Sequence, residues 1–168
     1  YIKWNPAVKT KDDREGIWKA VLDGRIDVIA TDHAPHTIEE KNQPYLQAPS
    51  GGPLVQFATQ AIFDQVQAGR LTIETMVEKM CHNPAILFRI KERGYIREGY
   101  FADLCILDDK KPYTVSKEGI LSLCKWSPFE GHQFASSIDG TWVNGQQVWD
   151  GNRIIETNSA RRLEFLTF

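Results

Sequence analysis

Asp27-Val28-Ile29-Ala30-Thr31-Asp32-His33-Ala34-Pro35-His36 is the stretch that decides how the chain is read. Apolar and small residues lead into a carboxylate, and two histidines follow within four positions. A short apolar run between polar residues reads as a buried strand over residues 26–30, of the parallel kind whose two faces are both covered. Asp32 and the histidines then fall at its C-terminal end, where α/β folds place their chemistry. Pro35 cannot donate to a ladder and biases Ala34 away from the helical region, so the chain is expected to turn and bring His36 back near Asp32. A carboxylate beside an imidazole can bind a metal, move a proton, or do both. Spacing alone also allows a helix cap with two solvated side chains.

Working outward, residues 1–4 read as a short strand ending at Asn5-Pro6. That would put Asn5 at a strand tip on the same side as Asp32, although Asn-Pro also starts turns. Thr10 with Asp13 three residues later predicts a capping-box helix start. Ile17, Trp18, Val21 and Leu22 then share one face, and Gly24 ends the helix. Strand, helix and strand make one βαβ unit. After His36 the chain to Gly52 is polar, with Pro44, Pro49, Ser50, Gly51 and Gly52. It reads as a long loop without a pattern of its own, of the sort that is usually functional. Leu54, Phe57, Ala58, Ala61, Ile62 and Val66 predict an amphipathic helix closing at Gly69. Thr72 caps another, with Ile73, Met76, Val77, Met80 and Cys81 inward and a break at His82-Asn83-Pro84.

Past Gly94 the composition shifts toward β. Residues 95–108 read as two short strands about a Gly turn, with Asp103 tying the turn down. Asn144-Gly145 suits a tight hairpin between residues 141–143 and 146–149, and Asp150-Gly151 a second turn. Glu130 and His132 read as surface or packing residues. Leu163, Phe165, Leu166 and Phe168 predict a tail docked on the body. Two parts are expected, residues 1–93 and 94–168.

The 168 residues carry a formal charge of -2 and an ordinary globular composition, which argues against nucleic acid as a partner. No long apolar segment points to a membrane. Cys81, Cys105 and Cys124 are odd in number and far apart, and read as buried, reduced thiols of a cytoplasmic protein. The chain starts at Tyr1 and not at Met, and is expected to be a piece of something longer.

Thr31-Asp32-His33-Ala34-Pro35-His36, followed by Thr37-Ile38-Glu39-Glu40-Lys41, resembles the second signature of the dihydroorotases, members of the metal-dependent amidohydrolase superfamily. Asn5-Pro6, the run from Gly94 to Leu104 with its Ala102-Asp103-Leu104, and Trp126-Ser127-Pro128-Phe129-Glu130-Gly131 resemble other parts of the same family. The resemblance implies an α/β fold: the C-terminal part of a (β/α)8 TIM-like metal-dependent hydrolase barrel, whose full form takes about 250 residues, plus a small β-rich composite domain. It implies a zinc-dependent cyclic amidohydrolase that interconverts L-dihydroorotate and N-carbamoyl-L-aspartate in pyrimidine biosynthesis. Asp32 would be metal ligand and proton shuttle. His36 and Asn5 would hold the substrate, backbone groups near Ala48, Pro49 and Gly51 would contact it, and His33 would stand behind the metal. One or two zinc ions are implied, with most ligands upstream of Tyr1, so the piece alone is expected to be inactive. A homo-oligomer is implied for the whole protein. Hydantoinases, dihydropyrimidinases and allantoinases resemble the stretch only to Asp-His-x-Pro and generally lack the final His. These enzymes, or an inactive dihydroorotase-like partner, remain the alternatives.

Overall fold

Thr10 opens the first helix as its sequence predicts. A computed structural model, which describes residues 1–167, forms α1 over Lys11–Leu22. The Thr10 hydroxyl accepts from the Asp13 amide at 3.1 Å and the Asp13 carboxylate accepts from the Thr10 amide at 2.9 Å, a reciprocal capping box. The Thr10 hydroxyl, donating to the Asp13 carboxylate at 2.9 Å, and then the Thr10 amide hold the Asp13 carboxyl below the usual carboxylate range. Gly24, at φ +83°, supplies the left-handed residue that ends α1. Of the predicted inward face only Val21 is buried; Ile17 and Leu22 are exposed.

The flanking strands do not form. Residues 1–4 and 26–30 are irregular, and residues 26–30 are half-buried to exposed. A parallel strand exists only through its neighbours' hydrogen bonds, and no residue of either segment belongs to a strand or bridge. What survives is one isolated parallel bridge, His33 to Gly52.

The predicted loop after His36 holds a short helix, α2, at Ile38–Lys41. Thr37 and Glu40 form a second capping box, with the Thr37 amide donating to Glu40 at 2.8 Å. A 3-10 turn at Val55–Phe57 leads into α3, Ala58–Gln67, which closes at Gly69 as expected. Phe63 is buried there although the expected apolar face omitted it.

The chain divides into two compact units: residues 1–61 with 114–134, and residues 62–113 with 135–168. The core of the first is aromatic. Phe57 stacks on Phe134 with centroids 5.8 Å apart, and Phe129 tilts against Phe134 at 5.3 Å. Val115, Ile120 and Trp126 are buried around them. Gln56 ties the start of the 3-10 turn to this core, donating to the Gly119 carbonyl and accepting from the Leu121 amide. His132 lies edge-on to Phe134, a packing role as expected.

In the second unit α4 (Ile73–Val77) is capped by Thr72 and runs through a π-helical turn at Glu78–His82 into α5, Asn83–Leu87. The expected break at His82-Asn83-Pro84 is therefore absent. The wide turn absorbs Pro84, which lacks the N–H a tight helix interior would need. His82 stacks on Tyr95, with centroids 4.1 Å apart. Met76 and Lys79 are buried on this helix, while Ile73, Val77 and Cys81 are exposed.

Strands β1 (Leu104–Asp108), β4 (Ser137–Val143) and β5 (Gln146–Trp149) form an antiparallel sheet in the order β1-β4-β5. Short β2 (Tyr113–Thr114) and β3 (Gln133–Phe134) pair separately. Asn144 and Gly145, at φ +51° and +81°, make the tight turn between β4 and β5 that the sequence predicts. Asp150 accepts from the amides of Asn152 and Arg153 and builds the second turn. Only one strand forms in residues 95–108; the first half is turns, because its backbone is spent on short-range bonds such as the Tyr100 amide to the Arg97 carbonyl. The tail docks through backbone bonds, Lys91 to Glu164 and Leu166 to Arg89, yet Leu163, Phe165 and Leu166 stay exposed. The expectation for Phe168 lies outside the described residues. The three cysteines are free thiols as expected, but Cys81 and Cys105 are exposed and Cys124 is half-buried.

Asp103 does tie down its turn. Its carboxylate accepts from the Asn144 amide at 2.7 Å and pairs with the Arg93 guanidinium, which also donates to the Asn144 side chain at 2.6 Å. Arg93 is only 10% exposed while Asp103 is 35% exposed. Arg93→Met is expected to cost about 2–3 kcal/mol, below the full figure for breaking a buried pair because water still reaches Asp103. Thermal denaturation of both proteins checks this, and an unchanged midpoint would count against it.

Candidate functional site

All the residues singled out from the sequence lie in the first unit. Asp32 is in the left-handed region, at φ +44°. Aspartate and asparagine tolerate that conformation better than other side chains with a Cβ. Its carboxylate is exposed and makes no hydrogen bond or ion pair with the described residues. Asn5 is likewise exposed, and its side chain bonds to none of them.

His33 has a defined task. Its Nδ1 accepts from the amides of Leu54 and Val55 at 3.1 and 3.2 Å. An accepting Nδ1 carries no proton, which fixes the neutral tautomer with its hydrogen on Nε2. The ring thus satisfies donors at the start of the 3-10 turn, a job usually done by an N-cap side chain. The Ala34 amide donates to the Gly52 carbonyl at 3.1 Å, so the histidine stretch and the end of the loop run side by side.

His36 is half-buried, with its Nδ1 3.6 Å from a Glu40 carboxylate oxygen. Its carbonyl accepts from the indole of Trp126 at 2.7 Å. That bond anchors the turn after Pro35 to a buried side chain of the aromatic core.

Residues 44–51 are gathered by two ammonium groups. Lys3 Nζ donates to the carbonyls of Tyr45 and Ala48, both at 2.6 Å. Lys41 Nζ donates to those of Pro49 and Gly51 at 2.8 and 2.9 Å. Lys41 is only 4% exposed, and its ammonium lies 5.8 Å from the centre of the Trp126 ring. Burial, helped by the nearby charge of Lys3, pushes Lys41 below the usual lysine range. The Ala48 amide donates to Pro44 and the Gly51 amide to Lys3. Every backbone N–H of Ala48, Pro49 and Gly51 is thereby absent or used internally. The amide of Ser50 makes no such bond among the described residues. Within residues 48–51 it is the amide that stays open among the described residues, one residue away from two of the three positions expected from the sequence.

Lys41, Trp126 and Ser50 were not singled out by sequence reasoning. Lys41 had a signal, since a lysine closing a Thr37-x-x-Glu40 capping box faces back along a single helical turn. Nothing local in the sequence marks Trp126 as the partner of His36, ninety residues away.

No group of three or more His, Cys, Asp or Glu able to hold a metal occurs among the described residues. Asp32 suits a metal as one oxygen ligand, and zinc needs three or four. These residues alone therefore do not make a zinc site.

The model of the amidohydrolase family matches residues 6–148. A dihydroorotase of Clostridium acetobutylicum is 40% identical over 149 residues, which are 88% of this chain and 35% of that protein. A dihydroorotase of Halobacterium salinarum is 37% identical over 152 residues, 90% of this chain and 36% of that protein. Among solved structures, an L-hydantoinase (dihydropyrimidinase) of Arthrobacter aurescens superposes with a TM-score of 0.85 at 30% identity, covering 92% of this chain and 35% of that one. The chain spans about a third of the length of the curated relatives it matches.

Proposed function

Because this chain belongs to the amidohydrolase family, we propose that it forms the Asp32-bearing part of a dihydroorotase, which opens and closes the ring between L-dihydroorotate and N-carbamoyl-L-aspartate. The observation that carries this reading is Asp32 itself: an exposed carboxylate, unpaired with any described residue, held at a left-handed turn four residues before His36. In ring opening, Asp32 takes a proton from the attacking water and returns it to the ring nitrogen as the C–N bond breaks. In closure the same proton travels in reverse. His36, Asn5 and the Ser50 amide bind the substrate's carboxylate, which a charge-assisted bond from each would orient. His33 holds the backbone behind the site through the Leu54 and Val55 amides.

The metal of this reading is zinc, with Asp32 as its ligand from this chain and the other ligands outside it; when bound, it would make the attacking water more acidic and polarise the amide carbonyl. The expected parts are the end of the barrel, residues 1–93, and a β-rich segment, residues 94–168. Catalysis then needs the rest of the barrel.

A second reading, a hydantoinase-type enzyme, is favoured by the likeness to the Arthrobacter aurescens enzyme. The His36 side chain separates the two, since hydantoins and dihydrouracil lack the ring carboxylate. With the complete zinc-loaded enzyme, His36→Ala is expected to raise KM for dihydroorotate about ten- to a hundredfold, the loss of one hydrogen bond to a charge, with a smaller change in kcat. Ultraviolet absorbance of the substrate follows the reaction. Turnover of dihydrouracil but not of dihydroorotate by the unaltered enzyme would transfer the assignment to the second reading.

A further inference from the structure

We propose that Lys41 is a positioning residue for the substrate loop: by gripping the carbonyls of Pro49 and Gly51 it fixes two peptide planes and aims the Ser50 amide at the ligand. The inference rests on the dihydroorotase reading above and adds a residue to it. The Pro49–Ser50 peptide is trans. In a trans peptide the C=O and the N–H point in opposite directions. The Pro49 carbonyl faces the buried Lys41 ammonium at 2.8 Å, so the Ser50 N–H is turned away from it. The Gly51 carbonyl at 2.9 Å fixes the Gly51–Gly52 plane in the same manner. A buried ammonium does this better than a neutral donor. Its charge has been taken from water, and each carbonyl it holds replaces part of the lost hydration, so releasing either one is costly. Lys41 cannot wander, because its own backbone is set by the Thr37–Glu40 capping box and its amide donates to the Thr37 carbonyl at 3.0 Å. Lys3 grips Tyr45 and Ala48, but neither carbonyl belongs to the peptide that carries the Ser50 N–H.

The test compares Lys41→Met with Lys41→Arg in the complete enzyme, by kinetics with dihydroorotate and by hydrogen exchange without substrate. Lys41→Met is expected to raise KM about ten- to a hundredfold with kcat changed less than about threefold, as for loss of an aimed donor to a carboxylate. The Gln47, Ala48 and Gly51 amides should lose protection, and Lys41→Arg, which keeps the charge and donors, should recover part of both effects. An unchanged KM, or a fall in kcat with KM unaltered, would overturn the proposal. Should Lys41→Met not fold, Lys41→Gln takes its place under the same criteria. If the unaltered enzyme leaves dihydroorotate intact, the functional reading fails by itself. The exchange comparison still stands then, and unchanged protection at Gly51 would refute the grip.

Discussion

Asp32→Asn is expected, on the dihydroorotase reading proposed above, to lower kcat for dihydroorotate about a thousandfold or more in the complete enzyme, the middle to upper range for a group that moves a proton in the transition state. The substitution removes the charge and the proton-accepting oxygen while keeping the shape. It also keeps the backbone, which is the reason to choose it over alanine. At φ +44° asparagine is as well suited as aspartate, so the thermal midpoint should not fall. Asp32→Ala would lose activity too, but would add left-handed strain of about 1 kcal/mol or more. Equal midpoints for wild type and Asp32→Asn, with a lower one for Asp32→Ala, would separate chemistry from conformation. A kcat for Asp32→Asn within about tenfold of wild type would remove Asp32 from the proton path.

Local devices were legible in the sequence, and long-range ones were not. The Thr10 capping box, the Gly69 terminator and the Asn144-Gly145 hairpin each depend on a few neighbouring residues, and each forms as read. Residues 1–4 and 26–30 have the composition of strands and are not strands here, because a ladder needs a partner that composition cannot supply. The run at Glu78–His82 fails for a different reason. Pro84 reads as a helix breaker, yet one wide turn before it removes the conflict without ending the helix. At the candidate site the spacing of Asp32 and His36 is what the sequence alone offers. The residues that hold it, His33 on the Leu54 and Val55 amides, Trp126 on His36, and Lys41 on the loop, are chosen by three-dimensional proximity alone. Gly51 sits where these contacts meet.

Gly51→Ala should therefore damage the fold and the site together. Gly51 has φ +109°, a conformation that L side chains rarely adopt, and an added Cβ would lie 2.5 Å from the Cβ of Ala34. Neither atom can swing aside, since Ala34 has no longer side chain and its amide is bonded to Gly52. Backbone strain of about 1–3 kcal/mol and overpacking of similar size add in one direction, giving a loss of about 3 kcal/mol or more if the loop holds its place. The alternative is for the loop to move, and then its bonds pay instead: the Gly51 amide would leave Lys3 and its carbonyl would leave Lys41. Stability would then fall less, but the Ser50 amide would lose its direction and KM for dihydroorotate should rise. The two responses are distinguished by measuring the thermal midpoint and KM on the same variant. A stable Gly51→Ala protein with normal KM would mean that the contact with Ala34 is relieved without disturbing the loop, and that the grip of Lys41 does not set substrate affinity.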